Sequence, residues 1–270
     1  FQLSQTISYQ SFQLKNYGFR VGNNFLNNGT LNNLSYNLNL SRSSAGPSLI
    51  FPTYGSEFSF GVKATLPYSL IVEKDYTEPE NLTAEEQNDF LADKFKWLEY
   101  YKLSIKGKWY TAFTDKLVLM TNAELGYLGF YNEKLGQTPF ERYFVGGDGI
   151  AQFQLDGRET VGIRGYENNR LSSIAGGTIY NKFQLELRYS ITDAPSASIY
   201  TLGFLEAGNS YDNFDQFNPF DLKRSAGLGV RIFMPAFGLL GIDFAHGFDP
   251  LPGQSEKSGW QTHFIIGRQF

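Results

Sequence analysis

Hydrophobicity along this chain alternates with a period of two, over stretches longer than ordinary strands. Between residues 97 and 113, Trp97, Tyr101, Leu103, Ile105, Trp109 and Phe113 take odd positions, while Lys102, Ser104, Lys106 and Lys108 take even ones. From Ile179 to Ile191 the pattern is cleaner still, with Phe183, Leu185, Leu187 and Tyr189 set against Lys182, Gln184, Glu186 and Arg188. Successive side chains of a strand point to opposite faces, so each stretch reads as a β-strand with one apolar and one polar face. Comparable segments fall at 1–14, 31–43, 56–68, 117–131, 197–207, 223–234, 237–246 and 260–270, which makes about ten strands. Many reach the roughly 9–11 residues that a tilted strand needs to cross a bilayer.

The connections alternate as well. Short turns at 114–116, 192–196 and Pro235-Ala236 are interleaved with long polar loops at 69–96, 132–178, 208–222 and 247–259. Short turns at one end and long loops at the other fit an antiparallel β-barrel spanning a membrane. A soluble sandwich also alternates, and strand length and aromatic content weigh against it. The 25 Phe, 17 Tyr and 3 Trp make up 17% of the 270 residues, almost as much as all charged residues at 19%. Trp97, Trp109, Tyr127, Tyr131, Tyr189 and Trp260 lie near strand ends, where amphipathic rings form interfacial girdles.

Other classes are excluded. No apolar run approaches the roughly 18 residues of a transmembrane helix. With Cys at 0 there is no disulfide framework or thiolate metal site. A formal net charge of −4 argues against nucleic acid as a partner. His246 and His263 are the only histidines, and neither has metal-ligand spacing or a nucleophile pattern around it, so no metal, no cofactor and no enzymatic activity are expected. Thr83 and Glu86 form a capping-box pattern that predicts a short helix to Lys94, on a solvated loop. No linker divides residues 1–270 into domains. The chain starts at Phe1 without a basic or apolar leader, and is expected to be a processed chain or the rear part of something longer.

Three segments carry a more specific signal. The chain ends in an alternating strand in which Trp260, Phe264, Ile266 and the terminal Phe270 share a face, with Gly267 and Arg268 between them. The longest loop holds Phe140-Glu141-Arg142-Tyr143-Phe144-Val145-Gly146-Gly147 and, further on, Ile163-Arg164-Gly165-Tyr166. Phe51-Pro52-Thr53-Tyr54-Gly55 stands where a turn motif would. Together these resemble the outer-membrane β-barrel assembly protein family, the BamA-like insertases and related translocases. The resemblance covers essentially the whole chain and is most specific over 140–190 and 260–270. In that family a Gly pair and a [V/I]-R-G-[F/Y] motif belong to a loop that folds back into the barrel lumen, and a terminal aromatic strand serves as a targeting signal. This sequence departs in one respect: residues 148–162, with Phe153 and Leu155 inside, separate Gly146-Gly147 from Arg164.

On the residues alone Arg164 reads as a solvated loop arginine, since surface ion pairs are common and weak. The resemblance changes that to an anchor, in which Arg164 binds lumen-facing Glu186, Glu206 or both. Glu186 is on the polar face by clear alternation, and Glu206 is placed there although its strand alternates poorly. The resemblance further implies that residues 1–270 are the C-terminal part of an all-β, transmembrane antiparallel barrel of sixteen strands. The loop at about 132–178 would be lumen-directed, and POTRA domains, absent from this chain, would lie upstream. The implied location is the bacterial outer membrane, as an integral protein. The implied function is insertion and assembly of other β-barrel proteins through a lateral seam at the last strand. Its implied partners are outer-membrane lipids, unfolded outer-membrane proteins and accessory lipoproteins. A translocase of the same superfamily and a passive pore are the alternatives. Deleting Phe270 is expected to lower correct insertion, measured as the heat-modifiable fraction on a gel; normal insertion would remove the targeting role.

Overall fold

The structure, a computed structural model, describes residues 1–21, 24–72, 74–150, 156–194 and 197–267. Ten long strands run through it: β1 (Gln2–Leu14), β2 (Gly29–Ser43), β3 (Pro52–Thr65), β4 (Tyr101–Ala112), β5 (Leu117–Gly129), β6 (Ile179–Ala194), β7 (Ala197–Tyr211), β8 (Lys223–Met234), β9 (Gly238–Pro250) and β10 (Lys257–Ile266). Each pairs antiparallel with the next in chain order, giving one continuous meander. Among the described residues β1 and β10 each have one neighbour in this sheet.

Burial is inverted relative to a soluble sheet. On β6 the charged and amide side chains Lys182, Gln184, Glu186 and Arg188 are all 3% exposed or less, whereas Phe183, Leu185, Leu187 and Tyr189 are 44–49% exposed. The same alternation runs through β7 to β10, where Leu205, Leu228, Phe244 and Phe264 are open on one face and Glu206, Arg231, Asp243 and His263 are closed off on the other. Water would penalise such a surface; hydrocarbon does not, and the pleat sorts the two sets automatically. No helix among the described residues is long and apolar enough to cross a membrane.

The sheet curls around the loop between β5 and β6. Phe140 of that loop packs on Phe12 of β1 at 5.4 Å between ring centroids, and the Gly165 N–H donates to His263 Nε2 of β10 at 2.8 Å. Both ends of the sheet therefore meet one segment of chain.

Several expectations shift in detail. Trp97 precedes β4 and bridges to Asn32 instead of starting a strand. Pro52-Thr53-Tyr54-Gly55 opens β3, and only Phe51 of that motif stays in the connection, where it is buried against Tyr200. The inward face is not uniformly polar. Toward the short turns, Tyr110, Val118, Met120, Tyr200 and Leu202 form an apolar cluster with Phe51, which fills that end of the interior. The Thr83 capping box is present and starts the helix Ala84–Lys94. That helix is packed instead of solvated: Leu91 is buried with Leu26, Leu31 and Leu98, and Asn88 Oδ1 accepts from the Asn27 and Asn28 N–H groups. Residues 153, 155, 195 and 268–270, including Phe270, lie outside the described residues.

Because Leu187 faces outward at mid-strand, Leu187→Arg is expected to destabilise the folded protein by about 2–4 kcal/mol in a bilayer, as urea unfolding in vesicles would measure. Outward Leu187→Phe should be nearly neutral, and equal losses for both would contradict the lipid-facing assignment.

Candidate functional site

The loop 132–178 returns along itself before it reaches the wall. Tyr143–Val145 pairs in parallel with Glu159–Val161, in the register Tyr143 to Glu159, Phe144 to Thr160 and Val145 to Val161. The Gly146 N–H donates to Val161 O at 2.9 Å and the Gly147 N–H to Ile163 O at 3.0 Å. The two halves of the motif thus lie side by side despite their separation in sequence.

Arg164 is 0% exposed and meets three carboxylates. Its backbone N–H donates to Glu206 Oε2 at 2.7 Å, and Nε and Nη2 donate to Glu206 Oε1 at 3.0 and 2.7 Å. Nη2 also donates to Glu186 Oε1 at 2.7 Å, and Nη1 to Asp243 Oδ2 at 2.9 Å. The guanidinium carbon lies 3.5 Å from the centroid of the Phe204 ring, so the flat cation is stacked as well as bonded. Burial by itself would lower its pKa; Glu206, then Glu186 and Asp243, outweigh that and hold it raised.

Two further arginines complete the group. Arg188 donates from Nε to Glu186 Oε2 at 2.8 Å, and Arg231 donates to both oxygens of Asp243 at 2.6 and 2.7 Å. Three cations and three anions are enclosed together, which is the condition for burying charge without a large unpaired penalty. Strand register sets their spacing. Gln184 lies opposite Glu206, and Glu186 opposite Phe204, so the two glutamates stand one pleat apart on adjacent strands. Asp243 faces Gly229 on β8, where any Cβ would sit 1.8 Å from Asp243 Oδ1, so only glycine leaves room for the carboxylate.

The rest of the motif extends the attachment to the last strand. Gly165 has φ +85°, and a Cβ there would meet Ser225 Cβ at 2.8 Å and Gly247 N at 2.9 Å. Its N–H donates to His263 Nε2, and its carbonyl accepts from Ser258 Oγ at 2.8 Å, both on β10. Tyr166 is fully buried and donates its hydroxyl to Arg224 O on β8 at 2.7 Å. Ile163 is also fully buried. Three consecutive residues, Arg164, Gly165 and Tyr166, therefore contact five consecutive strands, β6 to β10.

The other part of the loop binds the opposite wall with the charges exchanged. Glu141 receives Lys63 of β3 at 2.5 Å, and Glu159 receives Lys102 and Lys106 of β4 at 3.1 and 3.0 Å. The Lys102 ammonium also sits over the Tyr143 ring, 4.4 Å from its centroid. Burial would raise the Glu159 pKa, but Lys102 and Lys106 pull it down to about 2.

The structure thus places Arg164 against both Glu186 and Glu206. Asp243, Arg188, Arg231, His263 and the lysine–glutamate contacts were not singled out from the sequence. A lone acid in the apolar run Leu239-Leu240-Gly241-Ile242-Asp243-Phe244-Ala245 is the signal that marks Asp243. Trp260, Phe264 and Ile266 are exposed on the outward face of β10, with Trp260 stacked on His246, and the Gly267 N–H donates to Leu239 O at 2.7 Å. Among the described residues no group of His, Cys, Asp or Glu is arranged to hold a metal ion.

The chain matches the Omp85 superfamily domain over residues 1–270. It belongs to the Omp85 superfamily. Among solved structures, BamA from Haemophilus ducreyi lacking POTRA domains 1–3 is similar, with a TM-score of 0.63 at 15% identity, over 97% of this chain and 50% of that one. CdiB from Escherichia coli is similar with a TM-score of 0.56 at 13% identity, over 97% of this chain and 41% of that one. At these identities the likeness concerns fold, and this Omp85 chain spans half or less of each protein. No curated protein matches it. Family and fold make it an outer-membrane β-barrel protein.

Arg164→Ala leaves three buried carboxylates without their shared cation and is expected to cost about 3–5 kcal/mol, read as faster trypsin cleavage within 132–178 and a lower urea midpoint. A single ion pair would be restored by exchanging its charges. Here R164E with E186R sets the new carboxylate against Glu206 and Asp243, so little recovery is expected.

Proposed function

We propose that residues 1–270 form the C-terminal part of an Omp85 barrel, integral to a bacterial outer membrane and preceded by POTRA domains, that inserts and assembles other β-barrel proteins. One observation supports this reading: Arg164, Gly165 and Tyr166 of the loop motif attach strands β6 to β10 from inside, reaching the last strand through His263 and Ser258. An open strand edge presents unpaired N–H and C=O groups that can template an incoming strand. The pairing of β10 with β9 is irregular between Gly247 and Pro250. The proposed seam lies at this last strand. The work is physical, with no covalent step: the clients are unfolded outer-membrane proteins, the medium is outer-membrane lipid, and accessory lipoproteins assist.

The likeness to CdiB supports a second reading, secretion of a partner through the lumen. It requires the loop to leave the interior, and both of its attachments then break: the Arg164 group at one wall and the Glu141 and Glu159 ion pairs at the other. We therefore put assembly first, with translocation and a passive pore as the alternatives.

The test is depletion of the full-length protein in its own bacterium. Unrelated outer-membrane barrels should lose their heat-modifiable folded form together. Steady folded levels alongside loss of one secreted protein would replace assembly by translocation.

A further inference from the structure

One connection of this chain begins with a run of apolar residues. Residues 66–72 read Leu-Pro-Tyr-Ser-Leu-Ile-Val and follow β3 directly. They turn into a single helical turn, Tyr68–Ile71, with Leu66 51%, Leu70 64%, Ile71 72% and Val72 57% exposed. Four aliphatic side chains close together in the chain and facing solvent call for an apolar neighbour.

The orientation of this segment is held by specific contacts. Glu99, itself 4% exposed, accepts from the Ser69 N–H and, at 2.7 Å, from Ser69 Oγ, which turns the one polar side chain of the helix toward the protein and the aliphatic ones away. Tyr68 stacks on Trp97 at 4.9 Å, and Trp97 packs on Tyr9 at 6.5 Å. Tyr9 lies on the outward face of β1 with Ile7 and Leu3, all exposed. At the start of the segment Tyr131 donates its hydroxyl to Thr65 O at 2.9 Å, and Tyr131 belongs to an outward tyrosine group with Tyr101 and Tyr127. The start of the segment and Tyr68 within it are thus tied to the aromatic band at the long-loop rim of the lipid-facing wall, and its aliphatic side chains continue that surface.

We propose that residues 66–72 are a lipid-embedded foot, in which Leu66, Leu70, Ile71 and Val72 insert among the acyl chains of the outer leaflet beside β1 to β4. The occupant is lipid because the surface is continuous with the lipid-facing wall at the level where Tyr and Trp mark the headgroup boundary. The foot would hold the β3–β4 corner at a fixed depth, and its aliphatic side chains would displace lipid packing at that rim. This inference is independent of whether the protein assembles or secretes its clients.

The chain has no cysteine, so single labels can be introduced cleanly. Leu70→Cys and Ile71→Cys, each carrying a nitrobenzoxadiazole fluorophore, would be placed in the full-length protein without other cysteines, folded into phosphatidylcholine–phosphatidylglycerol vesicles. Phe264→Cys, outward on β10, serves as the lipid-exposed reference, and Ile174→Cys, 79% exposed in the loop, as the water-exposed one. The expected result is blue-shifted emission resembling position 264, quenching of about twofold by lipids with a nitroxide on the acyl chain, and little quenching by aqueous iodide. Water-like emission with iodide quenching would overturn the proposal, and so would protection from both quenchers, which would mean that protein covers the segment. If labels at 70 and 71 prevent folding, Val72→Cys carries the same readout.

Discussion

One buried guanidinium holds the interior of this protein together. Arg164 stands on a loop, yet its donors are distributed over Glu186, Glu206 and Asp243 on three different strands, with Phe204 beneath. A lysine could not do this, because a single ammonium lacks the planar fork that reaches several carboxylates at once. The neighbouring Arg188 and Arg231 balance the charge, so the loop is held by a closed electrostatic group instead of one exposed pair. Buried ionic groups are poor sources of net stability but strong determinants of position, since every misplacement leaves a charge unpaired.

The opposite wall shows the same principle with reversed sign. There the loop supplies Glu141 and Glu159 and the strands supply Lys63, Lys102 and Lys106. The loop thus meets the cationic side chains of one wall through Glu141 and Glu159 and the acidic side chains of the other through Arg164. The parallel pairing of Tyr143–Val145 with Glu159–Val161 brings Glu159 and Arg164 to their walls although residues 148–162 separate the two halves of the motif in sequence. Gly165 holds β10 by two hydrogen bonds from within, so the loop reaches the last strand as well as the charged group.

Much of the fold was legible because it rests on a local rule. A period of two over Phe183, Leu185, Leu187 and Tyr189 needs only the pleat to be expressed, and all ten long strands follow from such runs. Glu186 was legible for the same reason. Glu206 was harder, because Phe204, Leu202 and Tyr200 face inward beside it, where they fill the interior and blur the alternation. Trp97 was misplaced because its odd position matched the strand it precedes, whereas a bridge to Asn32 and packing on Tyr68 decide its place.

The sequence by itself determined the meander, the inverted faces and the identity of the loop motif, since these depend on residue spacing within one segment. Only the tertiary structure decided which charges meet. Asp243 lies seventy-nine positions from Arg164 and His263 ninety-eight from Gly165, and no local pattern links them. They become neighbours because the sheet curls until its strands β6 to β10 line one side of the loop, and curvature is a property of the whole sheet.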